Sequence, residues 1–126
     1  MRFHGSLVPT ADAGTQARAM LDGWLGDAVG DQAAETIRLA TTELVSNAVR
    51  HGDLSQQDEI LLVVDLGNGV VRVDVEQPTS AEAASVQAPD ADRDGGLGLM
   101  IVDAFSERWG VTEGTPGHVW FEVQGS

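Results

Sequence analysis

Three polar residues in the segment TTELVSNAVRHG, namely Glu43, Asn47 and His51, recur at intervals of four. Side chains four apart lie one above another on a helix, so these residues form a polar stripe beside an apolar one. The stripe is either solvated helix surface or the wall of a site. A zinc site is disfavoured because asparagine is a poor zinc ligand and no second ligand cluster is visible. A hydrolase is equally unsupported, since the chain has neither a G-x-S-x-G motif nor a cysteine.

A second candidate is the glycine cluster in GGLGLMIVDAFSERWG, where Gly95, Gly96 and Gly98 precede an apolar run. Glycine allows close backbone approach, and the free N–H groups at a helix start favour an anion such as phosphate. Taken alone, the cluster indicates a turn before a helix more often than a phosphate site.

Two helices precede these motifs in the predicted order of elements. The first is capped by Thr10 or Asp12 and runs to about Leu25, with Leu21 and Trp24 toward the core. The second opens at Asp31 and ends at Gly52, because apolar residues recur at helical spacing along it: Ala33, Ile37, Ala40, Leu44 and Ala48. RFHGSLVP, closed by Pro9, is a poor strand candidate.

The segments EILLVVDL and VVRVDVEQ, joined by the turn 67–69, predict a β-hairpin. Alternation buries the valines of its second strand and places Gln77 on the buried side. PTSAEAASVQAPDADRD has no periodic apolar face and reads as a surface loop. VTE and HVWFEV then predict two further strands. The pattern indicates an α+β two-layer sandwich, with a mixed, mainly antiparallel sheet and helices on one face.

Length and charge limit the number of domains, the location and the possible partners of the protein. The 126 residues fit a single domain, 1–126. No window reaches the length of a membrane span and no signal peptide is visible, so a cytoplasmic protein is expected. Twenty acidic against seven basic residues give a net charge of −13. This charge disfavours binding to nucleic acid or anionic membrane; it either maintains solubility or favours a partner with a basic patch.

The helix motif TELVSNAVRHG, followed after a hairpin and a loop by GGLGLMIVD, resembles the GHKL ATP-binding fold of histidine kinases, MutL, the gyrase B subunit and anti-sigma factor kinases. The short length and the ending WGVTEGTPGHVWFEV look like the anti-sigma regulatory factor group, which are serine kinases of sigma-factor partner switching. The likeness covers nearly the whole chain.

The resemblance implies a role for each motif. Glu43 would orient or deprotonate the attacking hydroxyl, and Asn47 would bind the magnesium ion that bridges the phosphates of ATP. His51 would be structural or accessory. The loop 79–94 would act as an ATP lid. The remaining nucleotide contacts would come from the glycine motif: Gly95, Gly96, Leu97, Gly98 and Leu99.

One position departs from the family pattern. Relatives carry an aspartate that accepts a hydrogen bond from the adenine amino group, and Gln77 stands there in this chain. Because glutamine is uncharged and can rotate its amide, low ATP affinity and poor discrimination between adenine and guanine are expected. Asp74 could substitute only through a bulge or register slip. His118 stands where many relatives have a basic residue.

Two functions follow from the resemblance. The first is an ATP- and magnesium-dependent serine/threonine kinase that phosphorylates an anti-sigma antagonist protein, binds a sigma factor and is able to dimerise. The second is a nucleotide-impaired module of the same fold that regulates by protein contact alone. Glu43, Asn47 and the glycines favour the kinase, whereas Gln77 favours the binding module.

Overall fold

A computed structural model describes residues 1–51, 53–79, 102–104, 106–112 and 114–125. Within these ranges the chain forms two long helices and five strands, and residues 102–104 are also helical. In chain order they are β1 (Arg2–Leu7), α1 (Ala13–Leu25), α2 (Asp31–His51), β2 (Ile60–Gly67), β3 (Val70–Gln77), β4 (Arg108–Thr112) and β5 (Gly117–Gln124). The predicted α+β architecture is therefore confirmed.

The five strands form one sheet in the order β1-β2-β3-β5-β4, with every neighbouring pair antiparallel. The hairpin of β2 and β3 turns through Asn68 and Gly69, whose φ angles of 56° and 76° suit a two-residue turn of the type that matches strand twist. The sheet is thus wholly antiparallel, where the sequence indicated a mixed, mainly antiparallel one.

The core lies between one face of the sheet and the two helices. α2 buries the five apolar residues that the sequence predicted, and Val71, Val73 and Val75 of β3 are buried opposite them. Leu21 of α1 is fully buried, while Trp24 packs at the border of the core and stacks on Phe3 with ring centroids 5.7 Å apart. No described helix is both long enough and apolar enough to cross a membrane.

The prediction that RFHGSLVP is a poor strand was wrong. All six residues of β1 pair with β2. Gly5 lets α1 approach, since a Cβ at this position would lie 3.0 Å from the Met20 sulfur. The N-terminal region is thus held by tertiary contacts that local composition does not reveal.

The strand predicted at VTE begins earlier, at Arg108, so the segment RWG belongs to β4 and not to the preceding helix. Gly110 pairs with Trp120 of β5, and a Cβ on Gly110 would lie 3.0 Å from three atoms of the Trp120 indole. The indole ring therefore packs over Gly110. The sequence did not predict a strand at this position because glycine has a weak β propensity.

Candidate functional site

α2 determines where Glu43 and Asn47 lie. Leu44, Val45 and Ala48 are buried against the sheet, which fixes the rotation of the helix about its axis. Asn47 is consequently only 6% exposed, and Glu43, one turn earlier, is partly buried. Asn47 therefore does not belong to a solvated helix face.

The amide of Asn47 has a defined orientation. Arg50 Nη2 donates a hydrogen bond to Asn47 Oδ1 over 3.1 Å. That oxygen is a hard ligand of the kind that magnesium prefers. A divalent ion held by that oxygen would be repelled by the Arg50 guanidinium if this hydrogen bond were kept. The importance of Arg50 was not recognised from the sequence.

Gln77 ends β3 on the side of the sheet that the helices cover, as strand alternation predicted. It is 6% exposed. Its Nε2 donates to Thr79 Oγ1 over 3.0 Å, and the backbone N–H of Gly117 donates to the Thr79 carbonyl, also over 3.0 Å. The Gln77 amide is thus hydrogen-bonded to Thr79. The sequence analysis identified Thr79 only as the first residue of the proposed ATP lid.

Chain connectivity places Asn47 and Gln77 at the same end of the sheet. α2 ends at His51, and the chain enters β2 at Ile60 only a few residues later. The start of β2 pairs with the end of β3, where Leu61 faces Glu76. Because α2 packs on β3, both buried amides lie in the layer between the helices and the sheet.

Asp74 lies on the opposite face of the sheet and cannot replace the missing aspartate. The pairing of β3 with both neighbours runs without a bulge from Val70 to Glu76. Asp74 accepts a hydrogen bond from Arg72 at 3.1 Å, which together with other effects raises the Arg72 pKa above its ordinary value. Burial partly opposes this effect.

His118 also faces away from the candidate site. Its Nε2 lies 2.6 Å from Thr112 Oγ1, and its Nδ1 lies 3.8 Å from Asp74 Oδ1. A role beside the nucleotide is therefore not supported by its position.

The other predicted site residues lie outside the described residues: Gly95, Gly96, Leu97, Gly98, Leu99 and the lid 80–94. The segment that follows them is described in part. Residues 102–104 are helical, Val102 is fully buried, and Trp109 Nε1 donates to Asp103 Oδ1 over 2.9 Å. A side-chain hydrogen bond thus links Asp103 to β4.

An antiparallel five-stranded sheet with helices on one face is the architecture of the GHKL class of proteins. The chain belongs to the histidine kinase-like ATPase domain family, whose model matches residues 7–121. A search among curated proteins found no match.

Two solved structures illustrate the relationship. A Mycobacterium tuberculosis protein with RsbU and RsbW domains aligns at a TM-score of 0.76 and 22% identity, covering 98% of this chain and 32% of its own. A histidine kinase domain from Erythrobacter litoralis aligns at 0.61 and 18% identity, covering 90% of this chain and 59% of its own. Both likenesses show the fold. The chain spans less than two thirds of either protein.

Proposed function

We propose that this chain is an anti-sigma regulatory factor with ATP-dependent serine/threonine kinase activity. It phosphorylates an anti-sigma antagonist protein and binds a sigma factor. The observation that carries the proposal is the burial of the Asn47 amide one helical turn from Glu43, at the sheet end where Gln77 also lies. Membership of an ATPase domain family supports nucleotide binding there.

In this proposal Glu43 is the catalytic base and Asn47 the magnesium ligand. A positioned carboxylate can take the proton of a serine or threonine hydroxyl as that oxygen attacks the terminal phosphate. Magnesium keeps several waters and binds through few protein ligands, which suits a single amide oxygen completed by phosphate oxygens. The described residues contain no cluster of three acidic, histidine or cysteine side chains that could hold a metal without a nucleotide.

The partners are part of the proposal. The aligned Mycobacterium tuberculosis protein contains an RsbW domain beside an RsbU domain, which supports a regulatory role through protein contacts. A cytoplasmic chain of net charge −13 that binds neither nucleic acid nor membrane, and that is able to dimerise, fits this role.

The second candidate is a nucleotide-impaired binding module, favoured by Gln77 in place of the aspartate. Calorimetric titration with ATP and ADP, each with and without magnesium, separates the two. Magnesium-dependent binding supports the kinase. Absence of heat and of a thermal shift at millimolar nucleotide supports the binding module.

Glu43→Ala should abolish phosphate transfer to a cognate antagonist while ATP affinity stays within about threefold, because the change removes the base and no phosphate contact. Labelled phosphate on the antagonist and calorimetric ATP affinity measure the two effects. Glu35→Ala is the matched control, since Glu35 lies on the same helix and only pairs with Arg38 at the surface. Parallel loss of transfer and affinity in Glu43→Ala would contradict the assigned role.

A further inference from the structure

Arg50 differs from most arginines of the described chain in the group that it binds. Four others each pair with a carboxylate: Arg2, Arg38, Arg72 and Arg108. The Arg50 guanidinium instead donates to Asn47 Oδ1, an uncharged amide oxygen, over 3.1 Å. A cation thus already occupies the oxygen that the proposed function assigns to magnesium.

This hydrogen bond also determines the orientation of the Asn47 amide. A guanidinium can only donate, so its partner has to be the amide oxygen, and turning the amide would set the side-chain NH₂ against the donors of Arg50. Asn47 is 6% exposed, so little solvent is present to replace a lost partner of Oδ1.

Magnesium and the Arg50 guanidinium compete for this oxygen for two reasons. Both are positively charged, so they repel each other at close range. In addition, magnesium binds oxygen at about 2.0–2.1 Å and keeps several of its waters. These waters point their hydrogens away from the ion, and the guanidinium, which has no acceptor, cannot hydrogen-bond to them. The arrangement of Arg50 on Asn47 therefore belongs to the metal-free protein.

The fold offers the displaced side chain another position. A groove of about 340 Å³ lies between the start of α1 and the second half of α2, and Arg50 is one of its lining residues. Thr10 and Ser46 also line it, and their hydroxyls are acceptors that suit a guanidinium. Because Arg50 is exposed and pairs with no carboxylate of the described chain, its release from Asn47 costs about one hydrogen bond.

We infer that Arg50 is a positioning residue that holds Asn47 Oδ1 in the metal-free protein and lowers the affinity for magnesium-bound ATP by competing with the ion. The inference rests on the proposed nucleotide-binding function. Its sign is distinctive, since a positive charge beside a triphosphate would otherwise raise the affinity.

The test compares ATP affinities of the wild type, Arg50→Met and Arg18→Met, measured by calorimetry in excess magnesium and in excess chelator. Methionine keeps an unbranched side chain and removes the charge and the donors. Arg18→Met is the matched control, because Arg18 is an exposed arginine of α1 that donates only to Thr15.

With magnesium, Arg50→Met should bind ATP about two- to tenfold more tightly than the wild type, the range expected for one net hydrogen bond. In chelator the same variant should show no gain, since no ion competes for the oxygen. Arg18→Met should show no gain under either condition, which excludes a general effect of lost positive charge.

A second readout needs no nucleotide. A hydrogen bond to an amide oxygen draws electron density from the amide nitrogen, so the Asn47 side-chain nitrogen signal in NMR spectra of the free protein should move upfield in Arg50→Met. The signal should stay in place in Arg18→Met. An unmoved signal in Arg50→Met would show that the bond to Asn47 is absent in solution and would overturn the inference.

The outcomes separate the inference from the function on which it rests. A magnesium-bound ATP affinity that is unchanged or lower in Arg50→Met, or a gain of equal size in chelator, overturns the inference alone. A wild type that binds no nucleotide under either condition overturns the proposed function, and the competition falls with it.

Discussion

At the scale of single residues, the family motif on α2 is readable from sequence because it depends on spacing along one helix. Glu43 and Asn47 lie one turn apart in any α-helix, and the apolar residues around them predict which face is buried. The contacts of these side chains, in contrast, could not be predicted from the sequence. The bond from Arg50 to Asn47 and the bond from Gln77 to Thr79 depend on rotamers that a sequence does not specify.

Asn47→Ala should weaken ATP binding in the presence of magnesium by roughly tenfold or more, because the ion loses its protein oxygen. Binding measured in excess chelator should change far less. Calorimetry under both conditions gives the ratio, and Ser46→Ala on the same turn is a suitable control. An equal loss with and without magnesium would mean that Asn47 acts as a packing or hydrogen-bonding residue only.

At the scale of elements, the helices and the central hairpin were predictable, whereas both edge strands were misjudged. α2 can be predicted from its local periodicity, and the β2–β3 hairpin from the turn at Gly67, Asn68 and Gly69. β1 and the start of β4 are strands because of what they pair with. Gly110 illustrates the difficulty. Glycine has a low propensity for strands, but here it is required because the Trp120 indole packs against the strand at this position.

Gly110→Ala should lower the free energy of unfolding by about 1–3 kcal/mol, the usual cost of overpacking a well-filled position. The new methyl group would displace the Trp120 indole from the Arg72 guanidinium, whose carbon now lies 4.2 Å from the ring centroid. Urea titration followed by tryptophan fluorescence measures the stability and the displacement together.

Gly67→Ala is the control, because a Cβ there meets no atom within 4 Å. We expect it to be neutral or slightly stabilising. Equal stability of the two variants would contradict the close packing of Trp120 on Gly110.

At the scale of the whole molecule, acidic and basic residues alternate on one side of the sheet but are unbalanced in the rest of the sequence. The side that the helices leave uncovered carries a row of alternating charge across all five strands: Arg2, Asp65, Arg72, Glu122 and Arg108. This row contains three of the seven basic residues. Outside this row the sequence has 18 acidic residues (20 less 2) and four basic residues (7 less 3), so negative charge predominates there.

Raising the salt concentration from about 0.01 M to about 0.1 M should therefore stabilise the protein. The Debye length falls from about 30 Å to about 10 Å over this range. A domain with a radius of gyration of about 14 Å experiences its whole net charge of −13 at the lower salt. Exposed ion pairs are worth at most about 1 kcal/mol each, so weakening them is the smaller effect.

Thermal unfolding in sodium chloride and in potassium chloride of equal ionic strength measures this change and excludes a specific ion effect. A melting temperature that falls with salt would show that the ion-pair row outweighs the repulsion.

The ends of the described chain meet at the hairpin-turn end of the sheet. Met1 exchanges backbone hydrogen bonds with Leu66, and Gly125 bonds to both Gly69 and Gly30. Gln77 lies at the other end of β3, seven residue steps or about 23 Å from Val70. A fluorescent protein, affinity tag or surface linker joined at either end of these residues would point away from the amides, so an immobilised sample would present its proposed nucleotide pocket to the solution.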